Sequence, residues 1–417
     1  MTRLIAPFLS LFLSLVVAEP DPAFSFGARL LDPISTGIET ANTTGSQHVG
    51  IRRESFAFED RQLNVSWWYP ATSEDNAVPF TNAGGLVGEA VLDAPLDSSN
   101  GPYPLIIFSP GVASWDDSYY FFLQNLASHG YVVVSIKHLD ATKAEAKANP
   151  LALAQAKKYQ EEQNGSYAVW LTYSWWFRTT HEGLKYRPQE IGFVIDKAIQ
   201  AASDKLSPFH GNIDAENIGM AGHSLGGFYT LLVGAGMAVN CDYPMTLKEQ
   251  NLLNPILTEV NFCAWPESRN FSSPTDLHDS RIKAAISLAP PVFIKPSEIT
   301  RGANSIKTPL MILTGNDPYF ESTLKPQRQL YDGAAGPKYK VEINATNHML
   351  IADTYQYNDE LTANVPAYLK SNFSAKADVY MTYSSAFFDM YLKKDDSKKE
   401  VLQSSSSPLV AALDYSE

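Results

Sequence analysis

Residues 218–236 read IGMAGHSLGGFYTLLVGAG, and the meaning of this stretch decides the fold. Ile218 to Ala221 is a short apolar run with strand character, and Leu225 onward has the composition of a helix reaching about Gly236. Between them Gly222, His223, Ser224, Leu225 and Gly226 spell G-x-S-x-G. A serine on a sharp strand-to-helix turn needs small residues on both sides, because neighbouring backbones come close and the turn requires unusual dihedrals. Gly222 and Gly226 supply that room, and a preceding strand with a following helix is the context this motif requires. A glycine-rich helix start is the bland alternative.

Outward from this turn the chain alternates strands and helices. PLIIFS (104–109) and YVVVSI (131–136) are apolar runs with little alternation, the pattern of strands buried on both faces. Trp115 to His129 has helical spacing and ends at Gly130, so the pair of strands encloses a helix. A further helix is expected from about Pro188 to Ala202, with strands at Ile218–Gly222, Ile282–Leu288, Pro309–Thr314 and Tyr339–Ile343. A last amphipathic helix runs from about Ala377 to Leu392, and Val49 to Pro70 reads as an antiparallel hairpin entering the sheet. This order predicts a mostly parallel central sheet with helices on both faces.

Two segments break the rhythm, about 140–186 and 240–280. Insertions over a parallel sheet sit at the carboxyl ends of the strands, where ligands bind, so both read as caps beside a cleft. The aromatic stripe from Tyr167 to Phe177 reads as core or as a hydrophobic wall for substrate. Residues 393–417 are charged and then Ser-rich, the composition of a disordered tail.

The amino terminus has Arg3, an apolar run from Leu4 to Val17, and small residues closing at Ala18. That is the layout of a secretory signal peptide spanning 1–18, and no later run is long enough to anchor the chain in a bilayer. The mature chain from 19 to 392 then forms the folded domain, and the protein is expected to be extracellular. N-x-S/T acceptors at Asn42, Asn64, Asn164, Asn270 and Asn372 suit that route, whereas the one at Asn344 would crowd His348. Cys241 and Cys263 are the only cysteines, and in an oxidising compartment an isolated close pair is expected to be bridged. With 45% hydrophobic and 18% charged residues among 417, the chain can bury a large core. A net charge of -13 disfavours nucleic acid and anionic membranes as partners.

A serine hydroxyl is a poor nucleophile at neutral pH and needs a base held in one tautomer by a carboxylate. When the order along the chain is serine, acid, histidine, only His278 and His348 lie downstream of Ser224. His278 falls inside the cysteine-bearing insertion, before the Ile282 strand, while His348 follows the last predicted strand in a loop, where the base belongs. Asp317 ends the strand PLMILTG and is the natural acid, with Glu321 and Asp332 farther from the strand end. A turn-forming aspartate before Pro318 is its bland reading. A tetrahedral oxyanion needs two backbone N–H donors, for which Leu225 and Val112 are the candidates, from the residue after the serine and from the loop after PLIIFS. His129, His138, His181 and His210 read as structural, and the chain has no metal-ligand spacing and no phosphate loop, so neither metal nor cofactor is expected.

With these residues placed, the chain resembles the platelet-activating-factor acetylhydrolase and dienelactone-hydrolase-like branch of the α/β-hydrolases. The likeness rests on YPLIIFSPG (103–111), NLASHGYVVVSIKHLDAT (125–142), YRPQEIGFVIDKA (186–198), IGMAGHSLGGFYTLLVGAG (218–236) and RIKAAISLAPP (281–291), and extends over roughly 64–392. It implies an α/β-hydrolase fold and hydrolysis of short or oxidised acyl esters, including phospholipid esters, through Ser224, Asp317 and His348. The chain departs from the family at Pro110, where members carry a histidine before the glycine, and in the length of its insertions. Polyester-degrading enzymes and lipases use the same three residues on other substrates. A non-catalytic secreted binding protein is the rival from another class, and an intact serine, acid and histidine in the proper order argues against it. Protonation of His348 is expected to reduce activity below about pH 6.5.

Overall fold

The computed structural model describes residues 43–59, 61–72, 79–82, 86–111, 114–138, 186–238, 277–292, 296–316, 321–346, 348, 350–352, 372–405 and 407–417. His48–Phe58 (β1) and Arg61–Ala71 (β2) form the expected hairpin, in register from His48 opposite Ala71 to Phe58 opposite Arg61. Two short strands, Pro79–Thr81 (β3) and Val87–Leu92 (β4), follow. Then come Tyr103–Ser109 (β5), the helix Tyr120–Ser128 (α1) and Val132–Lys137 (β6). A helix across 186–203 (α2) leads to Ile213–His223 (β7), and Leu225–Tyr229 (α3) continues into a π turn at Thr230–Gly234. The second half comprises Ile282–Leu288 (β8), Pro296–Ala303 (α4), Leu310–Gly315 (β9), Glu321–Gly333 (α5), Lys338–Ile343 (β10) and Phe373–Leu392 (α6). Lys399–Gln403 (α7) and Val410–Ser416 (β11) close the chain.

The eleven strands among the described residues join in one sheet, ordered β11-β10-β9-β8-β7-β5-β6-β2-β1-β4-β3. The pairs from β6 through β5, β7, β8 and β9 to β10 are parallel, and β2 and β11 flank this block antiparallel. The fold is therefore the α/β-hydrolase type, mostly parallel with helices on both faces.

The unalternating sequence of β5 has a simple packing cause. Leu105 and Ile107 point into one core with Ile191, Val194 and Ile195 of α2, Phe228 of α3, Ile299 of α4 and Leu330 of α5. Ile106 and Phe108 point into the other, with Phe122 and Leu126 of α1 and Tyr380, Phe387 and Phe388 of α6. Each fully buried aliphatic or aromatic side chain contributes roughly 1.5–3 kcal/mol, so a strand with both faces covered has no position to give to a polar residue. In β1, by contrast, Arg52 to Ala57 alternate between half-buried and exposed positions, as a strand with one open face does.

Three expectations require correction. The tail 393–417 is ordered from 393 to 405 and from 407 to 417: it forms α7 and then β11, antiparallel to β10 from Lys338 opposite Ser416 to Ile343 opposite Val410. The reason is that Leu402 is buried against the α6 core, and Leu409, Val410 and Leu413 pack beside it, while Lys340 pairs with Asp414 at 2.8 Å. The helix expected from Trp115 starts only at Tyr120, because the Ser118 hydroxyl accepts the Trp115 N–H at 2.9 Å and Asp117 is tied to Arg53 of β1. The helix expected from Leu225 to Gly236 is α-helical only to Tyr229 and then widens into the π turn.

Residues 140–185 and 240–276 of the two predicted caps, Cys241 and Cys263 among them, and the segment 1–18 lie outside the described residues, as do Asn42, Asn164 and Asn270. Among the described residues no helix is long and apolar enough to cross a membrane. Asn372 is exposed in the left-handed region at φ 57°, a conformation asparagine tolerates. Asn64 is half-buried within β2, and the Ser66 of its acceptor motif is buried with its hydroxyl donating to Asp116 O at 3.0 Å. Asn344 uses its side chain structurally, accepting from Asn316 Nδ2 at 3.1 Å and donating to Pro408 O at 3.3 Å.

Candidate active site

β7 lies mid-sheet between β5 and β8, and its carboxyl end delivers Ser224. The serine has φ 53° and ψ -122°, a combination that costs of order 1–3 kcal/mol for a non-glycine residue. The surroundings hold it there: Ser224 N–H donates to Leu288 O at the end of β8 at 2.9 Å, and Phe228 N–H donates to Ser224 O at 3.0 Å. A side chain at position 226 would stand 2.5 Å from the carbonyl carbon of Ser109 and 2.6 Å from Pro110 O, so the close approach of α3 to the end of β5 requires glycine.

His348 follows β10, three strands away from β7 in the sheet, yet its Nε2 lies 2.8 Å from Ser224 Oγ. Burial lowers its imidazole to about 4, which favours the neutral form that can accept a proton. The loop is drawn in partly by Gly315 at the end of β9, where a Cβ would stand 2.5 Å from the Thr346 carbonyl carbon. Asn316 N–H donates to Ile343 O at 3.0 Å, so the chain leaving β9 runs beside the chain leaving β10.

Of the expected set, then, Ser224 and His348 are brought together and Leu225 opens α3 directly after the serine. A first-turn N–H has no acceptor within its own helix and is available to a ligand. Asp317 and Val112 lie outside the described residues, although Asn316 and Gly111 immediately before them are described. His278 is not part of the site: its Nε2 faces Thr308 Oγ1 at 3.4 Å, beside Gly236. Asp332 is exposed at the end of α5.

Sequence reasoning missed the groups that grip the loop after β5. Arg187 of α2, 1% exposed, donates to Pro110 O at 2.7 Å and to Gly111 O at 3.4 Å. His138, read from the sequence as an ordinary strand end, stands between Ser109 Oγ at 2.8 Å and Glu190 Oε2 at 2.6 Å. Ser109, His138 and Glu190 repeat the order hydroxyl, imidazole, carboxylate, but Ser109 is wholly buried inside β5, so this group is scaffold. On the other side, Gly111 N–H donates to Tyr119 Oη at 2.9 Å, and that oxygen is 2.8 Å from His223 Nδ1. A signal for Arg187 and Glu190 was present: in YRPQEIGFVIDKA they share a helical stripe with Ile191, Val194 and Ala198, all buried. Among the described residues no cluster of His, Cys, Asp and Glu could hold a metal ion.

Residues 76–243 match the family model described as platelet-activating factor acetylhydrolase, isoform II. Among solved structures the chain is similar to a ferulic acid esterase from Streptomyces cinnamoneus, at 16% identity and a TM-score of 0.56, over 92% of this chain and 100% of that one. At that identity the structural likeness speaks for the fold. The family match spans β5, α1, β6, α2, β7 and the Ser224 turn, and together with the α/β-hydrolase sheet that carries them it supports an ester-hydrolysing enzyme, similar over that part of the chain to the platelet-activating factor acetylhydrolases.

Proposed function

We propose that the chain is a secreted serine carboxylic ester hydrolase that works through an acyl-enzyme on short-acyl esters, phospholipid esters of the platelet-activating-factor kind included. The observation that carries this reading is the 2.8 Å approach of His348 Nε2 to Ser224 Oγ on a strained strand-to-helix turn. In the first step Ser224 Oγ attacks the ester carbonyl carbon while His348 takes its proton, then returns it to the departing alcohol. In the second, His348 removes a proton from water, which attacks the acyl carbon, and then gives that proton to Ser224 Oγ as the acyl–oxygen bond breaks and the acid leaves. Leu225 and Val112 N–H hold the oxyanion, and Asp317 stays ionised and orients His348. The course of Asn316 beside the end of β10 supports Asp317 in that role.

Labelling with a fluorophosphonate tests the reading. Wild type should take the label and Ser224→Ala should not; an unlabelled wild type, under conditions that label a known serine esterase, refutes it. A series of p-nitrophenyl esters from acetyl to octanoyl, with phospholipid and polyester alongside, tests the substrate class. A preference for octanoyl or polymer would replace the short-acyl assignment with a lipase or polyesterase. Secretion predicts a mature chain that begins after Ala18, with Cys241 bridged to Cys263 and glycans at acceptors such as the exposed Asn372, all readable by mass spectrometry.

A further inference from the structure

Three hydrogen bonds connect the loop after β5 to the loop after β10, passing behind Ser224. Gly111 N–H donates to Tyr119 Oη at 2.9 Å, Tyr119 Oη is 2.8 Å from His223 Nδ1, and His223 Nε2 is 2.7 Å from the main-chain oxygen of His348. A carbonyl oxygen can only accept, so His223 carries its proton on Nε2. Its Nδ1 then presents a lone pair, and the tyrosine hydroxyl must donate to it. Every proton along the line therefore points the same way, from Gly111 to His348. Tyr119 and His223 are each 1% exposed. Burial first, and the neighbouring His348 second, hold the His223 imidazole well below the usual histidine value, which keeps that lone pair in place at neutral pH.

Two loops that come from strands on opposite sides of β7 are linked to each other through these three bonds. Hydrolysis needs the two in register, because one of the two proposed oxyanion amides, that of Val112, belongs to the first loop and the base to the second, while Leu225 opens α3 between them. We propose that Tyr119 and His223 are positioning residues, a directional relay that sets the loop after β5 and the His348 loop against each other across Ser224. The proposal rests on the hydrolase reading of Ser224 and His348. It also narrows that reading: the Gly111 N–H is engaged by Tyr119, which leaves the oxyanion to Leu225 and Val112.

Three variants cut the relay at different points. Tyr119→Phe keeps the ring that packs 4.8 Å from Phe108 and removes only the hydroxyl. His223→Asn places a short amide where Nδ1 was and cannot reach His348 O. His223→Gln reaches His348 O and abandons Tyr119. With p-nitrophenyl acetate, and with rates counted per fluorophosphonate-titrated site, each should lower kcat roughly 10- to 100-fold while KM stays within about threefold. Because one unit is being broken, Tyr119→Phe with His223→Asn should fall no more than about threefold below the worse single variant. A merely structural role would lower the melting temperature and the number of titrated sites without changing kcat per site. Single variants within threefold of wild-type kcat, or a double variant at the product of the two singles, would overturn the relay. Should Tyr119→Phe fail to fold, the two His223 variants carry the test by themselves, since both must lose kcat per site. A wild type that takes no label removes the Ser224 reading and the relay with it; a labelled wild type beside a fully active Tyr119→Phe removes the relay alone.

Discussion

Replacing Gly226 by alanine adds one carbon at the tightest place beside the serine turn. That carbon would lie 2.5 Å from the Ser109 carbonyl carbon and 2.6 Å from Pro110 O, where real side-chain carbons do not come within 3.0 Å. Both neighbours are backbone, so no side chain can swing away. The first turn of α3 and the end of β5 must part by more than about 0.5 Å. Leu225 N–H lies on one of these elements and Val112 on the loop leaving the other, so the two proposed oxyanion donors separate. Losing one such donor costs about 10²- to 10³-fold in kcat, which is about 2.7–4 kcal/mol of transition-state stabilisation. Gly226→Ala should therefore show kcat for p-nitrophenyl acetate at least 100-fold below wild type. Gly192→Ala is the control: in α2 its added carbon meets nothing nearer than 4.0 Å, and a helical glycine replaced by alanine gains about 0.5–1 kcal/mol. If Gly226→Ala keeps kcat within threefold while remaining folded, the assignment of the loop after β5 to oxyanion binding is wrong.

Three further perturbations follow from the site and its surroundings. Burial alone sets His348 to about 4, and Asp317 in its proposed role would raise it, so kcat/KM should decline on acidification at a midpoint between about 4 and 6.5. Asp317→Asn should lower kcat by about 10⁴ and move the midpoint of its residual activity toward 4; an unmoved midpoint would remove Asp317 as the orienting acid. Asp116, buried beside Asp117, is pushed up to about 6 by burial and then by its neighbour's charge. A raised carboxyl favours the folded state fully only below its ordinary value near 3.8 and loses that contribution as pH rises to about 6. Asp116→Asn should accordingly stabilise the fold by roughly 1–3 kcal/mol above pH 6 and by little below pH 4, read by denaturant titration at both. Arg187→Met removes the donor to Pro110 O and Gly111 O and should lower kcat at least tenfold with the sheet intact by circular dichroism; unchanged kcat would show that the loop is held without it.

What could be read from the sequence, and what could not, divides by how local the cause is. β5, β8 and the Ser224 turn were legible because two-faced burial and the close approach at Gly222 and Gly226 write themselves into consecutive residues. β11 was not, because an edge strand with one neighbour tolerates Asp414 and Ser416, and the serines at 404–407 gave the whole tail a polar composition. The pairing of Ser224 with His348 followed from chain order. Tyr119 and His223 stand 104 positions apart, and only the fold brings their polar atoms together. Pro110 marked a departure from the family that the chain resembles, without showing that Arg187 and Tyr119 hold the loop there.

The last strand of the chain has a consequence for handling the protein. β10 ends at Ile343, five residues before His348, and β11 covers its outer flank along its whole length. Stripped of that cover, the flank would present a bare row of amide and carbonyl groups, a template on which a second molecule can lay its own backbone. Proteolytic nicking ahead of Val410 should thus show itself first as self-association and only afterwards as lost turnover, since the wall beside the base would have become a sticky seam.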